Sequence, residues 1–127
     1  RGRGFVFSTA PSPLMAVAVE AALERMAGAD AERSALAGLI DHAAQHLCAP
    51  LGLPAPTSQI LPVILGDDAR TMRIAGALQD SGFDVRGIRP PTVPENTARL
   101  RIALTLHATP ADLDALFADL ALEMARA

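Results

Sequence analysis

Three polar side chains in the last third of the chain have the types needed to hold an anion. Arg89 and Thr92 belong to a loop with prolines at three of the positions 90–94, and Arg101 follows in a strand-like segment. A guanidinium can grip a carboxylate through two parallel N–H···O bonds, and a hydroxyl can add another contact. We therefore expect Arg89, Thr92 and Arg101 to bind an anion, most simply a carboxylate.

The segment that carries Arg101 alternates between apolar and polar residues, as a half-buried strand does. One face would hold Leu100, Ile102 and Leu104, and the other Arg99, Arg101, Ala103 and Thr105. Proline fixes φ and removes a backbone donor, so the preceding loop should be rigid and hold its side chains near the strand. A merely solvated strand face is the competing interpretation of the two arginines.

Other residues with chemical potential have simpler explanations. His42 and His46 stand four apart, the spacing of two metal ligands on a helix, but no third ligand is in view and we expect no metal. Cys48 is expected to be a small buried hydrophobe. Ser8 and Thr9 precede a proline-broken helix start and could bind a phosphate, although the residues by themselves favour a turn cap.

Composition limits the class of protein. With 127 residues, half of them hydrophobic, the chain suits one compact domain or a small domain with a helical extension. A net charge of -3 and 3% aromatic residues argue against nucleic-acid binding. No window reaches the roughly 18 apolar residues of a membrane helix, and no secretory signal is visible. The single cysteine excludes an intrachain disulfide and fits a reducing cytoplasm.

The chain contains no lysine, because all eleven residues in the Lys+Arg count are arginine. It cannot form a Schiff base by itself. It also begins at Arg1 instead of methionine. Together these features lead us to expect a piece of a longer polypeptide.

Two helices are predicted in the first half of the chain. Ser12 caps the first, with Pro13 at its first position, and Gly28 ends it after Ala27. Its predicted buried stripe is Met15, Val19, Ala22, Leu23 and Met26. The second helix, capped by Asp30, covers about residues 31–47. Its predicted inner face is Leu36, Leu39, Ile40, Ala43 and Leu47.

A linker rich in proline and glycine at residues 48–56 separates these helices from a different pattern. We expect a helical segment at 1–55 and an α+β domain at 56–127. Strands are predicted at 60–65, where Pro62 requires either an edge strand or a place at the strand's own beginning, at 83–88, and around Arg101. Helices should run from Gly66 to Ser81 and onward from a capping box at Thr109. Their buried positions would be Met72, Ala75 and Leu78, and Leu113, Leu116, Phe117, Leu120 and Met124. The result is a short, mostly antiparallel sheet covered on one face by helices.

Four segments of the chain carry a resemblance to a known family. Residues 88–94 read IRPPTVP and residues 97–101 read TARLR, while residues 5–9 read FVFST and residues 60–67 read ILPVILGD. The chain resembles the C-terminal part of the α-oxoamine synthases, and among them most the 8-amino-7-oxononanoate synthases. The likeness covers essentially the whole chain, and the loop with its strand is the most specific part.

The resemblance implies the small C-terminal domain of a fold-type I enzyme that uses pyridoxal 5'-phosphate. Such an enzyme is a cytoplasmic homodimer that condenses L-alanine with a pimeloyl thioester of coenzyme A or acyl carrier protein. It releases carbon dioxide in a step of biotin biosynthesis. It would be an acyltransferase, with no nucleic acid or membrane among its partners.

The resemblance also implies roles for single residues. Arg101 would hold the amino-acid carboxylate, Thr92 would contact substrate, and Arg89 would lie near the entrance for the acyl chain. Ser8 and Thr9 would reach the cofactor phosphate of the neighbouring subunit, which replaces the turn cap as the expectation.

The chain departs from the family pattern in two respects. The lysine that carries the cofactor, the histidine that stacks on its ring and the aspartate at its pyridine nitrogen belong to a larger domain that this chain lacks. We therefore expect no catalytic residue here and an inactive chain. His107 is shifted by one position relative to the family's histidine and is given no role. The alternatives are a sister synthase that uses glycine or serine, and a free-standing anion-binding α+β module.

Overall fold

The computed structural model describes residues 12–126. The predicted phosphate contacts Ser8 and Thr9, and the strand-like residues 5–7, lie outside the described residues. The chain divides into two compact units between Arg33 and Ser34. The boundary predicted between residues 55 and 56 falls inside the second unit and, as a domain boundary of the protein, stays a prediction.

Helix α1, Pro13–Ala27, begins and ends where the sequence predicts. Ser12 is its N-cap residue, with extended φ and ψ, although its side chain makes no capping hydrogen bond. At the other end, the Gly28 N–H donates to the Arg25 carbonyl and the Ala29 N–H donates to the Met26 carbonyl. Proline at the first helical position loses no hydrogen bond, which explains why the helix starts there.

The buried stripe predicted for α1 is wrong. Among the described residues this helix has no buried side chain, and Met15, Val19, Leu23 and Met26 are each more than half exposed. The first unit has no apolar layer, in its described part, to cover them. The spacing of apolar residues correctly predicted a helix, but it does not determine whether another part of the protein covers that apolar face.

Helix α2, Asp30–His42, continues into a π-helical segment, Ala43–Cys48. The predicted inner face is confirmed, because Leu39, Ala43 and Leu47 are buried; Leu36 and Ile40 are partly buried against the same core. Cys48 is also buried, as predicted, with 2% of its surface exposed. Burial raises the pKa of its thiol above the ordinary value, so the side chain behaves as a packing group.

The second unit contains a three-stranded antiparallel sheet. Strands β1 (Ile60–Gly66), β2 (Arg86–Ile88) and β3 (Ala98–Ala103) lie in the order β1-β3-β2. The strand that carries Arg101 is therefore central, and β1 is an edge, which is one of the two alternatives predicted from its proline. A bulge between Ile64 and Gly66 shifts the register before the last pair, Gly66 with Ala98, and Gly66 takes a φ of 86° that favours glycine.

One face of the sheet forms the core of the second unit. Leu61 lies opposite Ile102 and Val63 lies opposite Leu100, and all four are buried. On β2, Gly87 presents no side chain to this layer, and a Cβ there would come within 2.8 Å of the Met72 sulfur. The alternation predicted for β3 is thus confirmed on its apolar face.

Helix α3, Asp68–Asp80, is capped by the Asp67 carboxylate, which accepts from the Arg70 N–H at 2.7 Å. Ala75 and Leu78 are buried as predicted, but Met72 is 43% exposed and its prediction is wrong. Thr71 is buried in its place, because its hydroxyl donates to the Asp67 carbonyl at 2.7 Å and so carries no unmet hydrogen bond.

Strand β2 is shorter than predicted, since residues 83–85 are an irregular connection between α3 and β2. The Phe83 N–H donates to the Leu78 carbonyl, and the Gln79 amide donates to the Val85 carbonyl at 2.7 Å. These backbone groups are therefore already bonded to the end of α3.

Helix α4, Pro110–Ala125, has the predicted capping box. The Thr109 hydroxyl accepts from the Asp112 N–H, and the Asp112 carboxylate accepts from the Thr109 N–H at 2.8 Å. Its buried side chains are Leu113, Leu116, Phe117 and Leu120, with Met124 partly buried against the core. Within residues 12–126, no helix is long and apolar enough to span a membrane.

Candidate functional site: an arginine-bearing sheet face and its loop

The loop between β2 and β3 begins with a closed turn that joins two of the predicted residues. Arg89 directly follows Ile88, the last residue of β2, and its carbonyl accepts from the Thr92 N–H at 3.0 Å. The Pro90–Pro91 peptide inside this turn is cis. Both Arg89 and Thr92 are exposed, so the turn presents a guanidinium and a hydroxyl together.

The second half of the loop is bonded to the start of β3. The Pro94 carbonyl accepts from the Thr97 N–H at 3.2 Å and from the Thr97 hydroxyl at 2.6 Å. The Thr97 carbonyl in turn accepts from Nε of Arg99 at 3.0 Å. Asn96 takes a φ of 59° at the corner, a conformation that asparagine tolerates better than most residues. One of the two strand arginines therefore has a local role, which is to hold the loop.

Arg101 lies in the middle of β3, on the face opposite the core, and is exposed. It pairs in register with Pro62 of β1 on one side and with Arg86 of β2 on the other. Within the described residues it has no hydrogen bond or ion pair from its side chain. Its guanidinium is thus available to a ligand.

The structure brings the three predicted residues into one region but does not join them all. Ile88, which precedes Arg89, lies opposite Arg99. Arg101 is two residues further along β3, a distance of about 7 Å at ordinary strand geometry. No described hydrogen bond links it to Arg89 or Thr92. The turn and Arg101 form an open surface, and their binding roles stay predictions.

The open face of the sheet, defined by the outward side chains of its three strands, is more basic than the sequence suggested. Directly opposite residues of antiparallel strands point to the same face. This face holds Ile60, Pro62, Ile64, Arg86, Ile88, Arg99, Arg101 and Ala103. Sequence reasoning missed Arg86, because the register of β2 against β3 cannot be read from either strand alone.

A separate cavity of about 510 Å³ lies at the other end of β3. Its walls include Phe83, Leu104 and Leu113, with His107 and Asp112 among its polar groups. The pKa of the Asp112 carboxyl lies below its ordinary value, because the Thr109 backbone N–H and then the Thr109 hydroxyl bond to it. That carboxylate is already used by the helix cap.

The two histidines of the predicted metal spacing have a different partner. Nε2 of His42 lies 2.7 Å from Oδ1 of Asp114 on α4, and the His46 ring centroid is 5.1 Å from that of His42. Among residues 12–126, no group of three or more side chains is arranged to hold a metal ion. The contact between His42 and Asp114 instead links the end of α2 to α4.

Comparison of the sequence with known proteins identifies a family and similar enzymes. The family model described as aminotransferase class I and II matches residues 1–120. The 8-amino-7-oxononanoate synthase of Herminiimonas arsenicoxydans is 43% identical over 124 residues, which cover 94% of this chain and 32% of that protein. The enzyme of that name from Pseudescherichia vulneris is 44% identical over 119 residues, covering 90% and 30%. The chain therefore spans about a third of the length of these curated relatives.

Solved structures share the fold. The 8-amino-7-oxononanoate synthase of Francisella tularensis matches with a TM-score of 0.81 at 21% identity, over 98% of this chain and 36% of that one. The serine palmitoyltransferase of Sphingomonas wittichii matches with a TM-score of 0.60 at 21% identity, over 70% and 24%. The predicted α+β fold and the resemblance to the C-terminal part of these synthases are confirmed. On the match of its first 120 residues, the chain belongs to the aminotransferase class I and II family.

Proposed function

We propose that this chain is the substrate-carboxylate part of an 8-amino-7-oxononanoate synthase. The observation that carries the proposal is the position of Arg101, exposed on the central strand beside the Arg89–Thr92 turn. The similarity to enzymes of that name supports it. The complete enzyme would join L-alanine to a pimeloyl thioester with loss of carbon dioxide, for biotin synthesis.

In this proposal each residue of the site has a separate task. The Arg101 guanidinium holds the amino-acid carboxylate in two parallel bonds, which fixes the orientation of the Cα substituents. Thr92 contacts substrate through its hydroxyl, and Arg89 lies near the entrance for the acyl chain. Because all three side chains are exposed in the described structure, exclusion of water would depend on the rest of the enzyme.

Proteins of this family depend on pyridoxal phosphate in general, and the donor set of this chain allows a test of its fit. Guanidinium and hydroxyl groups suit a carboxylate, but attachment of an aldehyde cofactor needs an amine, and the chain has no lysine. The cofactor would supply an electron sink for the carbanion at the amino-acid Cα. We propose that the larger part of the enzyme holds it, that Ser8 and Thr9 reach its phosphate in a homodimer, and that the chain alone is inactive.

The test uses the full-length protein with Arg101 replaced by alanine. Loss of a bidentate charged contact should cost about 2–4 kcal/mol of transition-state binding, or about 30- to 1,000-fold in kcat/KM for L-alanine. Arg73→Ala is a matched control, since Arg73 is a part-exposed arginine on α3 that faces Glu123. Near-normal turnover of alanine by Arg101→Ala would contradict the proposal.

A sister synthase is the second candidate, supported by the fold likeness to serine palmitoyltransferase. Comparing L-alanine, glycine and L-serine as substrates of the full-length protein separates the two. Alanine must have the highest kcat/KM for the first proposal to stand. Anion binding with no turnover of any amino acid would instead favour a free-standing binding module.

A further inference from the structure

Arg86 lies directly across from Arg101 on the open face of the sheet. The two residues are register partners in the antiparallel pair of β2 and β3. Side chains in such positions share a face, with Cβ atoms about 4.5–5.5 Å apart. Arg86 is exposed, as Arg101 is, so both guanidinium groups can reach the same small ligand.

This arrangement is unfavourable without an anion. Like charges directly opposite each other in a sheet repel, and the outward residues of the three strands include a third arginine, Arg99, but no acid. The chain as a whole carries a net charge of -3. This face is therefore positively charged although the chain as a whole is negatively charged. The local electrostatic field attracts anions.

Arg86 has one described partner, an acid outside the strands. Its Nη2 lies 2.9 Å from Oδ1 of Asp84, and both side chains are well exposed, at 62% and 76%. An exposed pair of this kind is weak. A substrate carboxylate beside Arg101 can therefore compete with Asp84 for the Arg86 guanidinium.

We infer that Arg86 is a second binding residue for the amino-acid carboxylate. An ionised carboxylate has about four lone-pair sites, and a bidentate contact with Arg101 uses only two of them. Arg86 donates a hydrogen bond to one of the remaining lone-pair sites of the carboxylate. Asp84 weakens this binding because it competes with the substrate for the Arg86 guanidinium. The inference rests on the proposed function, since it needs Arg101 to hold a carboxylate.

The experiment measures the Kd of L-alanine for the full-length protein by calorimetry, and the KM values of both substrates. Arg86→Gln should raise the alanine Kd and KM about three- to tenfold, the worth of a charged hydrogen bond discounted for exposure. Arg86→Lys should restore part of the affinity. Asp84→Asn should lower the alanine Kd, and the KM for the thioester should not change.

The salt dependence of the alanine Kd distinguishes a binding role of Arg86 from a purely structural one. The Debye length falls from about 30 Å at 0.01 M to about 3 Å at 1 M, so the difference between wild type and Arg86→Gln should shrink as salt rises. Arg73→Gln removes the same charge from α3 and should change neither Kd nor its salt dependence. Thermal unfolding of each variant confirms that it is folded.

The results distinguish this inference from the proposed function. An unchanged alanine Kd in Arg86→Gln, with a large loss in Arg101→Ala, overturns the role of Arg86 and leaves that of Arg101 intact. A rise confined to the thioester KM, or an Asp84→Asn variant that binds alanine more weakly, also overturns it. If Arg101→Ala retains full activity, the proposed function fails first.

Discussion

Helices α1 and α4 resemble each other in sequence but differ completely in burial. Both begin with a hydroxyl residue followed by proline, and they contain 15 and 16 residues. Helix α4 buries four side chains and closes a full capping box. Among the described residues α1 buries none, and Ser12 makes no capping bond through its side chain.

The difference teaches that an apolar stripe specifies a helix more surely than it specifies burial. Helix α4 packs in a unit that contains its own sheet, whereas α1 belongs to a unit whose described part contains no other layer. Exposed Met15, Val19 and Leu23 recur every four residues and therefore lie along one face of α1, and an exposed apolar surface of this kind marks a surface for contact. Whole relatives are about three times as long as this chain.

The largest expected contrast is between two leucines, one on each helix. Leu120→Ala removes a side chain with no exposed surface and should lower the free energy of unfolding by about 2–5 kcal/mol. Leu23 is 59% exposed, so Leu23→Ala should change stability by no more than about 0.5 kcal/mol. Urea denaturation of residues 1–127 measures both.

Measuring the stability of the same two leucine variants in the full-length protein tests whether α1 is covered there. If α1 is covered there, Leu23→Ala should become clearly destabilising while Leu120→Ala keeps its effect. Equal losses for the two variants in the shorter chain would contradict the difference in burial described above.

A smaller contrast is expected at the two N-caps. Thr109→Ala removes the hydroxyl that accepts from the Asp112 N–H and should cost about 1 kcal/mol. Ser12→Ala removes a hydroxyl that makes no such bond and should be nearly neutral. Thr109→Ser, which keeps the acceptor, is the control and should retain most of the stability. A Ser12→Ala loss as large as that of Thr109→Ala would show that the two caps are equivalent.

The smallest effect is the pH dependence of the Asp112 cap. Its pKa in the folded chain is lowered from 3.8 by bonds from Thr109. The stabilisation is therefore present above the ordinary pKa and is lost as the pH falls through the lower, folded-state value. Asp112→Asn should be less stable than the wild type near neutral pH, and the two should converge in strong acid. A difference that does not vary with pH would contradict the assignment.

Local chemistry made much of the fold predictable. The capping box at Thr109, the edge position of β1 and the apolar face of β3 depend on neighbouring residues and were confirmed. Met72 was placed wrongly, because hydropathy ranks methionine above threonine and does not register that the Thr71 hydroxyl bonds to its own helix. Burial depends on such bonds as well as on side-chain polarity.

Only those residues of the candidate site that are close together in the sequence could be predicted. Arg101 and the turn that contains Thr92 are close in sequence, so pattern and resemblance could indicate them. Arg86 and the contact between His42 and Asp114, which are 72 residues apart, depend on strand register and tertiary packing. A single sequence carries no direct signal for either, since a one-residue slip in register would turn Arg86 to the other face.

The central position of β3 has a consequence for backbone dynamics. A strand paired on both sides exchanges its amide hydrogens only when neighbouring strands separate, whereas the ends of loops open locally. The backbone beneath Arg101 should therefore be among the slowest to exchange with deuterium in the second unit. The loop of residues 89–97 that precedes β3 should exchange its amide hydrogens much faster. A segment that opens slowly and a segment that opens readily therefore meet at Thr97.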